Sequence, residues 1–243
     1  VHSPEVCRLI NHHCGDYHTL PLQPDRLHAA LGHLWGMSEL QSRAFHDKPV
    51  SYHEFALEGK SPAITQTREL LGRFANTEEP VLIYGENGTG KEAAVAFIHN
   101  PSTRRRKPLV VVKCAALPIS LTQNELVGHE KGAFTHAMSS RKGRIETADG
   151  GTLLLVGIDE LKLEQQSAIL RFLQEGQIER IGGCHPIKVD VRVIATSTTP
   201  LDQLVTQGHF RSDVFYRLGS LNVLLPPLRA RKEDIPESVA YIH

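Results

Sequence analysis

The stretch VLIYGENGTGKE, residues 81–92, constrains this chain more than any other. Four apolar residues (Val81 to Tyr84) run into a loop spaced G-x-x-x-x-G-K, in which Gly85, Gly88 and Gly90 precede Lys91. Glycines let loop amides close around phosphate oxygens, a following helix adds partial positive charge, and a lysine at that place reaches terminal phosphates. A strand feeding such a loop and then a helix implies a layered α/β fold. The candidate cradle is Gly85, Glu86, Asn87, Gly88, Thr89, Gly90, Lys91 and Glu92. Phosphate loops generally place a Ser or Thr hydroxyl, a Mg²⁺ ligand, where Glu92 stands, so the metal side is weakened and Mg²⁺ is left open.

The rest of the chain from Leu57 onward repeats that alternation. Apolar runs at 81–84, 109–114, 151–158, 191–197 and 221–225 lack polar alternation, as strands buried on both faces of a parallel sheet do. Ile64, Leu70, Leu71 and Phe74 share one helical face. So do Leu163, Ile169, Leu170 and Leu173, in a helix expected to stop at Gly176. The prediction is a parallel sheet sandwiched by helices. Lys+Arg and Asp+Glu balance at 27 each among 243 residues, so bulk charge points to neither nucleic acid nor membrane. The four cysteines, Cys7, Cys14, Cys114 and Cys184, have no metal-binding spacing and read as thiols of a reducing cytoplasm. No apolar run approaches the ~18 residues of a membrane span.

Residues 1–38 read as helix, strand and helix, and this segment resembles the C-terminal part of a response-regulator receiver domain. That family carries a phosphoryl-contacting Lys where Leu20 precedes Pro21 here, which argues against phospho-signalling. Residues 39–56 are polar and patternless, and read as a linker.

GENGTGKE, GHEKGAFTHA, ADGGTLLL, RFLQEG, FRSDVFYRL and LPPLRARKEDI follow one another across residues 57–243. Together they resemble the AAA+ domain of bacterial enhancer-binding proteins, the activators of sigma-54 RNA polymerase. The resemblance implies an ATP-binding domain that self-associates as a dimer or ring. Arg211 and Arg217 would be arginine fingers toward a neighbour's γ-phosphate, and Gly132, Ala133, Phe134, Thr135, His136 and Ala137 the sigma-contacting loop. It also implies that the chain is a piece of a longer regulator, whose helical lid and DNA-binding domain follow residue 243. RNA polymerase holoenzyme and DNA are the implied partners, without a membrane.

Three departures shape the expectation. Family members read GGTLFLDEIGDL where this chain reads GGTLLLVGIDEL (150–161), so Val156 and Gly157 replace the Mg²⁺-positioning Asp and the water-polarising Glu. Were the strand to continue, Asp159 would lie ~10 Å further on, with Glu160 beyond it, and Asp159 on the opposite face. Lys113 stands in place of the Asn that switches the Glu, and Ser197-Thr198 in place of Thr-Asn. His136 replaces a loop-tip glycine, which stiffens the sigma contact. The pattern resembles cyclic di-GMP-responsive biofilm regulators of the VpsR type, which work with the housekeeping polymerase. Arg104, Arg105 and Arg106, with Lys107, form the candidate cyclic dinucleotide contact, because guanidinium groups suit phosphates and purine faces. The expectation is a nucleotide-binding, non-hydrolysing transcription regulator with no confident catalytic residue and no metal site. The alternative is an active ATPase that remodels sigma-54 polymerase.

Overall fold

The computed structural model describes residues 57–134 and 137–236, all within one compact unit, residues 51–243. The expectations for residues 1–56, for Thr135 and His136 and for residues 237–243 lie outside the described residues.

In chain order the first half contains α1 (Pro62–Ala75), β1 (Val81–Tyr84), α2 (Lys91–His99), β2 (Leu109–Lys113), α3 (Thr122–Val127), β3 (Gly128–His129), β4 (Arg141–Lys142) and α4 (Arg144–Thr147). The second half contains β5 (Thr152–Val156), α5 (Leu163–Glu175), β6 (Gln177–Ile178), β7 (Ile187–Lys188), β8 (Arg192–Ser197), α6 (Leu201–Thr206), α7 (Ser212–Leu218) and β9 (Leu221–Leu224). The five predicted apolar runs form one parallel sheet in the order β2-β5-β8-β1-β9.

Successive residues of β1, β2, β5 and β8 enter different cores, which is why those runs are almost continuously apolar, whereas edge strand β9 buries only one face and exposes Asn222 and Leu224. Leu153, Leu155, Val112 and Val193 pack with Ile169 and Phe172 of α5 on one face. Leu154, Ile83 and Ile194 pack with Leu71 of α1 and Ala94 and Ile98 of α2 on the other. Helix α1 starts where Ser61 caps Ile64 N–H at 3.4 Å and Pro62 takes the first turn. Helix α5 stops at Gly176, in the left-handed region at φ 63°, as expected. Leu163, placed on its buried face by periodicity, is 45% exposed, and Gln165 and Gln166 are buried instead. Both amides find partners: Gln165 Nε2 donates to Thr122 Oγ1 and Leu117 O, and Gln166 Nε2 to Leu161 O. Hydrogen bonding offsets their burial and overrides the apolar stripe.

Two short antiparallel ladders, β3 with β4 and β6 with β7, interrupt the sheet's connections. Two-residue strands have too little sequence to show a period, and none was expected from it.

Candidate nucleotide site

The glycine loop leaves β1 at the C-terminal edge of the sheet, where open α/β sheets bind ligands. Gly85 N donates to Ser197 O at 3.1 Å, which ties the loop's start to the end of β8. A methyl group on Gly85 would meet Thr89 Oγ1 at 2.5 Å and Leu225 Cβ at 3.2 Å, so only glycine fits there. Thr89 Oγ1 donates to Glu86 O at 2.8 Å and closes the loop. The Lys91 ammonium donates to Gly85 O at 2.6 Å and Glu86 O at 3.0 Å, folded over the cradle. Partial burial holds the Lys91 amine below its ordinary pKa, and the Asp159 charge partly offsets that. The cradle residues expected from sequence are therefore assembled in one loop.

A second layer grips this loop from sequence-distant residues. Arg229 donates to both Glu86 carboxylate oxygens, at 2.6 and 2.5 Å. These bonds hold the Glu86 carboxyl below the usual carboxylate range. Arg231, 8% exposed, donates to Glu58 O at 3.2 Å and Thr89 O at 3.3 Å, joining the segment before α1 to the loop. The sequence showed LPPLRARKEDI as a motif but gave these arginines no chemistry, because their partners lie 142 and 143 residues away.

Lys113 pairs in register with Val156 at the ends of β2 and β5, and β5 and β8 lie between β2 and the strand that feeds the cradle. Strand β5 does not continue beyond Val156. Gly157 takes φ 69° and ψ 54°, and residues 158–160 form a 3₁₀ turn. The expectation of ~10 Å of further strand before Asp159 is therefore corrected: a left-handed glycine folds the chain back and keeps Asp159 near the sheet edge. Its Oδ2 accepts from the Thr198 and Thr199 amides at 3.1 and 3.0 Å, so Asp159 caps the loop after β8. Its Oδ1 is buried with no hydrogen-bond partner among the described residues. Gly157 N donates to Thr196 Oγ1 at 3.1 Å and pins the turn. Magnesium is held beside phosphates by carboxylate and hydroxyl oxygens. Val156 and Gly157 supply neither, Glu92 has replaced the hydroxyl, and no group of three or more His, Cys, Asp or Glu among the described residues is arranged to hold a metal. Val156 and Gly157 themselves do not fit the ion.

The other candidates lie apart from the cradle in their contacts. Arg104 is spent: it donates to Glu78 at 2.7 Å, to Asp190 Oδ1 at 2.7 Å and to the carbonyls of Gly151 and Asp190. Arg105, Arg106 and Lys107 are exposed. Arg211 forms a two-bond pair with Asp213, at 3.0 and 2.8 Å, whereas Arg217 is exposed with no ion pair among the described residues. In the 132–137 loop, Gly132 N donates to Ala137 O at 2.9 Å and closes its base. Phe134, 44% exposed, stacks edgewise on His129 with centroids 4.9 Å apart.

A parallel sheet flanked by helices, with a glycine cradle at its C-terminal edge, defines a P-loop nucleotide-binding protein of the AAA+ class. The chain belongs to the family described as the Sigma-54 interaction domain, which matches residues 57–224. It is similar to the Nif-specific regulatory protein of Sinorhizobium fredii, 50% identical over 178 residues, 73% of this chain and 30% of that protein. It is 48% identical over 178 residues to the DNA-binding transcriptional regulator NtrC of Escherichia coli, covering 73% of this chain and 38% of that one. The crystal structure of NtrX from Brucella abortus in complex with ADP superposes with a TM-score of 0.72 at 33% identity, over 98% of this chain and 53% of that chain. NtrX is also known in complex with ATP, where the TM-score is 0.70. The chain spans about a third of the length of these curated relatives.

Proposed function

We propose that this chain is the nucleotide-binding part of a bacterial transcription regulator whose AAA+ unit holds ATP or ADP without hydrolysing it at a useful rate. The observation that carries this reading is the sheet edge at Val156 and Gly157. Neither residue offers a carboxylate to hold a metal or polarise a water, beside a complete glycine cradle. A general base contributes about 10²–10⁴ in rate, and its loss leaves binding as the unit's output. The ATP and ADP complexes of NtrX support the ligand class.

In this reading residues 57–243 are the AAA+ unit, 39–56 a linker and 1–38 the end of a receiver-like domain. The regulator works in the cytoplasm, grips DNA through a domain outside this chain and meets RNA polymerase holoenzyme. It self-associates across a surface carrying Arg211 and Arg217, where Tyr216 (75% exposed) and Leu224 (69% exposed) offer apolar contact. Of the run proposed for cyclic di-GMP, Arg105 and Arg106 are exposed and make no side-chain hydrogen bond or ion pair among the described residues, and Arg104 serves the fold. With His136 in the sigma-contacting loop, the housekeeping polymerase is the proposed partner.

The test is phosphate release by the full-length protein with Mg-ATP, beside a Val156→Asp, Gly157→Glu variant. Release near background by the natural sequence is the expected result, and turnover near ~1 s⁻¹, ordinary for enzymes, refutes it. Calorimetric titration with ATP, ADP and cyclic di-GMP separates the ligands.

The second reading, an ATPase that remodels sigma-54 polymerase, is favoured by one observation. Asp159 lies close enough to Lys91 to act on its charge and keeps one oxygen without a hydrogen-bond partner among the described residues. An Asp159→Asn variant that abolishes phosphate release would establish it.

A further inference from the structure

The glycine loop carries more acid than base in its own residues. Glu86 and Glu92 stand against the one ammonium of Lys91, and the Asp159 carboxylate adds its charge from the turn after β5. A polyphosphate brings several negative charges and is drawn to a surplus of positive ones. Residues 85–92 hold no second base that could provide it.

A second base reaches the loop from 143 residues away. Strand β9 lies beside β1, and Leu225 N donates to Tyr84 O at 2.8 Å, just where the glycine loop begins. The chain then turns after Pro227 through a 3₁₀ segment, Leu228–Ala230. Buried Arg231 fastens the far side of that segment through its bond to Thr89 O at 3.3 Å. Between these two ties, Arg229 donates from Nη1 and Nη2 to the two carboxylate oxygens of Glu86, at 2.6 and 2.5 Å. The backbone carbonyl of the same Glu86 accepts from the Lys91 ammonium at 3.0 Å. The Arg229 and Glu86 side chains are 68% and 54% exposed. A pair so open to water adds little to stability. Its consequence falls on a ligand, which meets Lys91 with the neighbouring Glu86 charge already cancelled.

We infer that Arg229 is a charge-compensating residue of the phosphate site: by pairing with Glu86 it removes the repulsion that this carboxylate would otherwise exert on a polyphosphate. Arg229 acts through Glu86 and sets how strongly the cradle favours the more highly charged nucleotide. This inference rests on the proposal that the cradle is a nucleotide site.

The experiment is calorimetric titration of the full chain with ATP and with ADP, in Mg²⁺ buffer of low ionic strength. The parent is compared with Arg229→Gln, Glu86→Gln and the double variant. Arg229→Gln should weaken ATP binding by roughly threefold and ADP binding by less, because ATP carries one more negative charge. Glu86→Gln should shift both affinities in the opposite direction, and the double variant should return to within about twofold of the parent. All these shifts should shrink as salt is raised. Were the pair only a clasp on the loop, either single variant would break it alike and the double variant would not recover. Equal weakening by the two single variants therefore overturns the inference, as does a double variant as weak as Arg229→Gln. Parent binding with unchanged affinity in Arg229→Gln overturns this inference alone. Failure of the parent to bind either nucleotide overturns the nucleotide-site reading and this inference with it.

Discussion

Arg192 is 2% exposed and begins β8, yet it forms no ion pair among the described residues. Its guanidinium donates to Phe74 O at 2.6 Å and Ala75 O at 3.3 Å, the last carbonyls of α1, where the helix end is partially negative. Burial pulls its pKa below the ordinary arginine value. Arg192→Met removes the guanidinium from both carbonyls, although Thr77 N and Oγ1 still donate to Phe74 O, and should cost about 1–3 kcal/mol in chemical denaturation. Asp234, fully buried, is the second such anchor. It accepts from Lys60 N at 2.7 Å, Ser61 N at 2.8 Å and Ser61 Oγ at 2.6 Å. Burial raises its carboxyl, and the bonds from Ser61 and Lys60 with the Arg231 charge outweigh that and hold it below the usual range. Its contribution is full above the ordinary aspartate value and is lost as pH falls through the lower folded value. Asp234→Asn should therefore flatten the acid limb of the stability curve, measured by denaturant midpoints from neutral pH downward. Cys114 gives a third residue-level test. Burial, then the charges of Asp159 and Glu160, push its thiol up to about 12. At pH 8 it should resist alkylation in the folded protein while exposed Cys184 reacts, read by mass spectrometry of the labelled peptides.

At the scale of elements, the glycine loop and the turn after β5 are each decided by one backbone position. Gly85 has no room for a side chain beside Thr89 and Leu225. Gly85→Ala should push the loop off its closed form, cost about 1–3 kcal/mol and weaken ATP binding in the same titration. Gly157 has ordinary space around it, with Glu160 Cγ at 3.5 Å, but its φ of 69° is a left-handed conformation. Gly157→Ala should therefore cost about 1 kcal/mol through backbone strain, without a packing defect. Glu in its place meets the same strain, so the double variant used to restore hydrolysis should be less stable than the parent. Helix α5 follows its signal at the cap better than on its face: Gly176 ends it as read, whereas it buries two glutamines and exposes Leu163. A hydrophobic stripe records average burial, but a buried amide with two partners is decided by the carbonyls it meets.

For the whole molecule, the strand order brings β1, β5 and β8 side by side and makes their C-terminal ends one edge. There the cradle, the Val156–Gly157 gap and the Asp159-capped loop after β8 meet, though they come from segments up to about a hundred residues apart. The replaced acids were legible because the flanking GGTL and the following helix fix the alignment of that strand without any coordinates. Where Asp159 goes was not, since a glycine turn and two amides 39 and 40 residues away decide it. Nor was the internal use of Arg104, whose partner Asp190 lies 86 residues on. The amino-acid sequence alone determined the strands, the glycine cradle and the loss of acids at Val156 and Gly157, because apolar period, glycine spacing and residue type are local properties. Only the tertiary structure decided which charges meet that cradle: Arg229 on Glu86, Arg231 on Thr89, and Asp159 acting on Lys91. Electrostatic partners are chosen by distance in space, and a chain's order does not carry that distance.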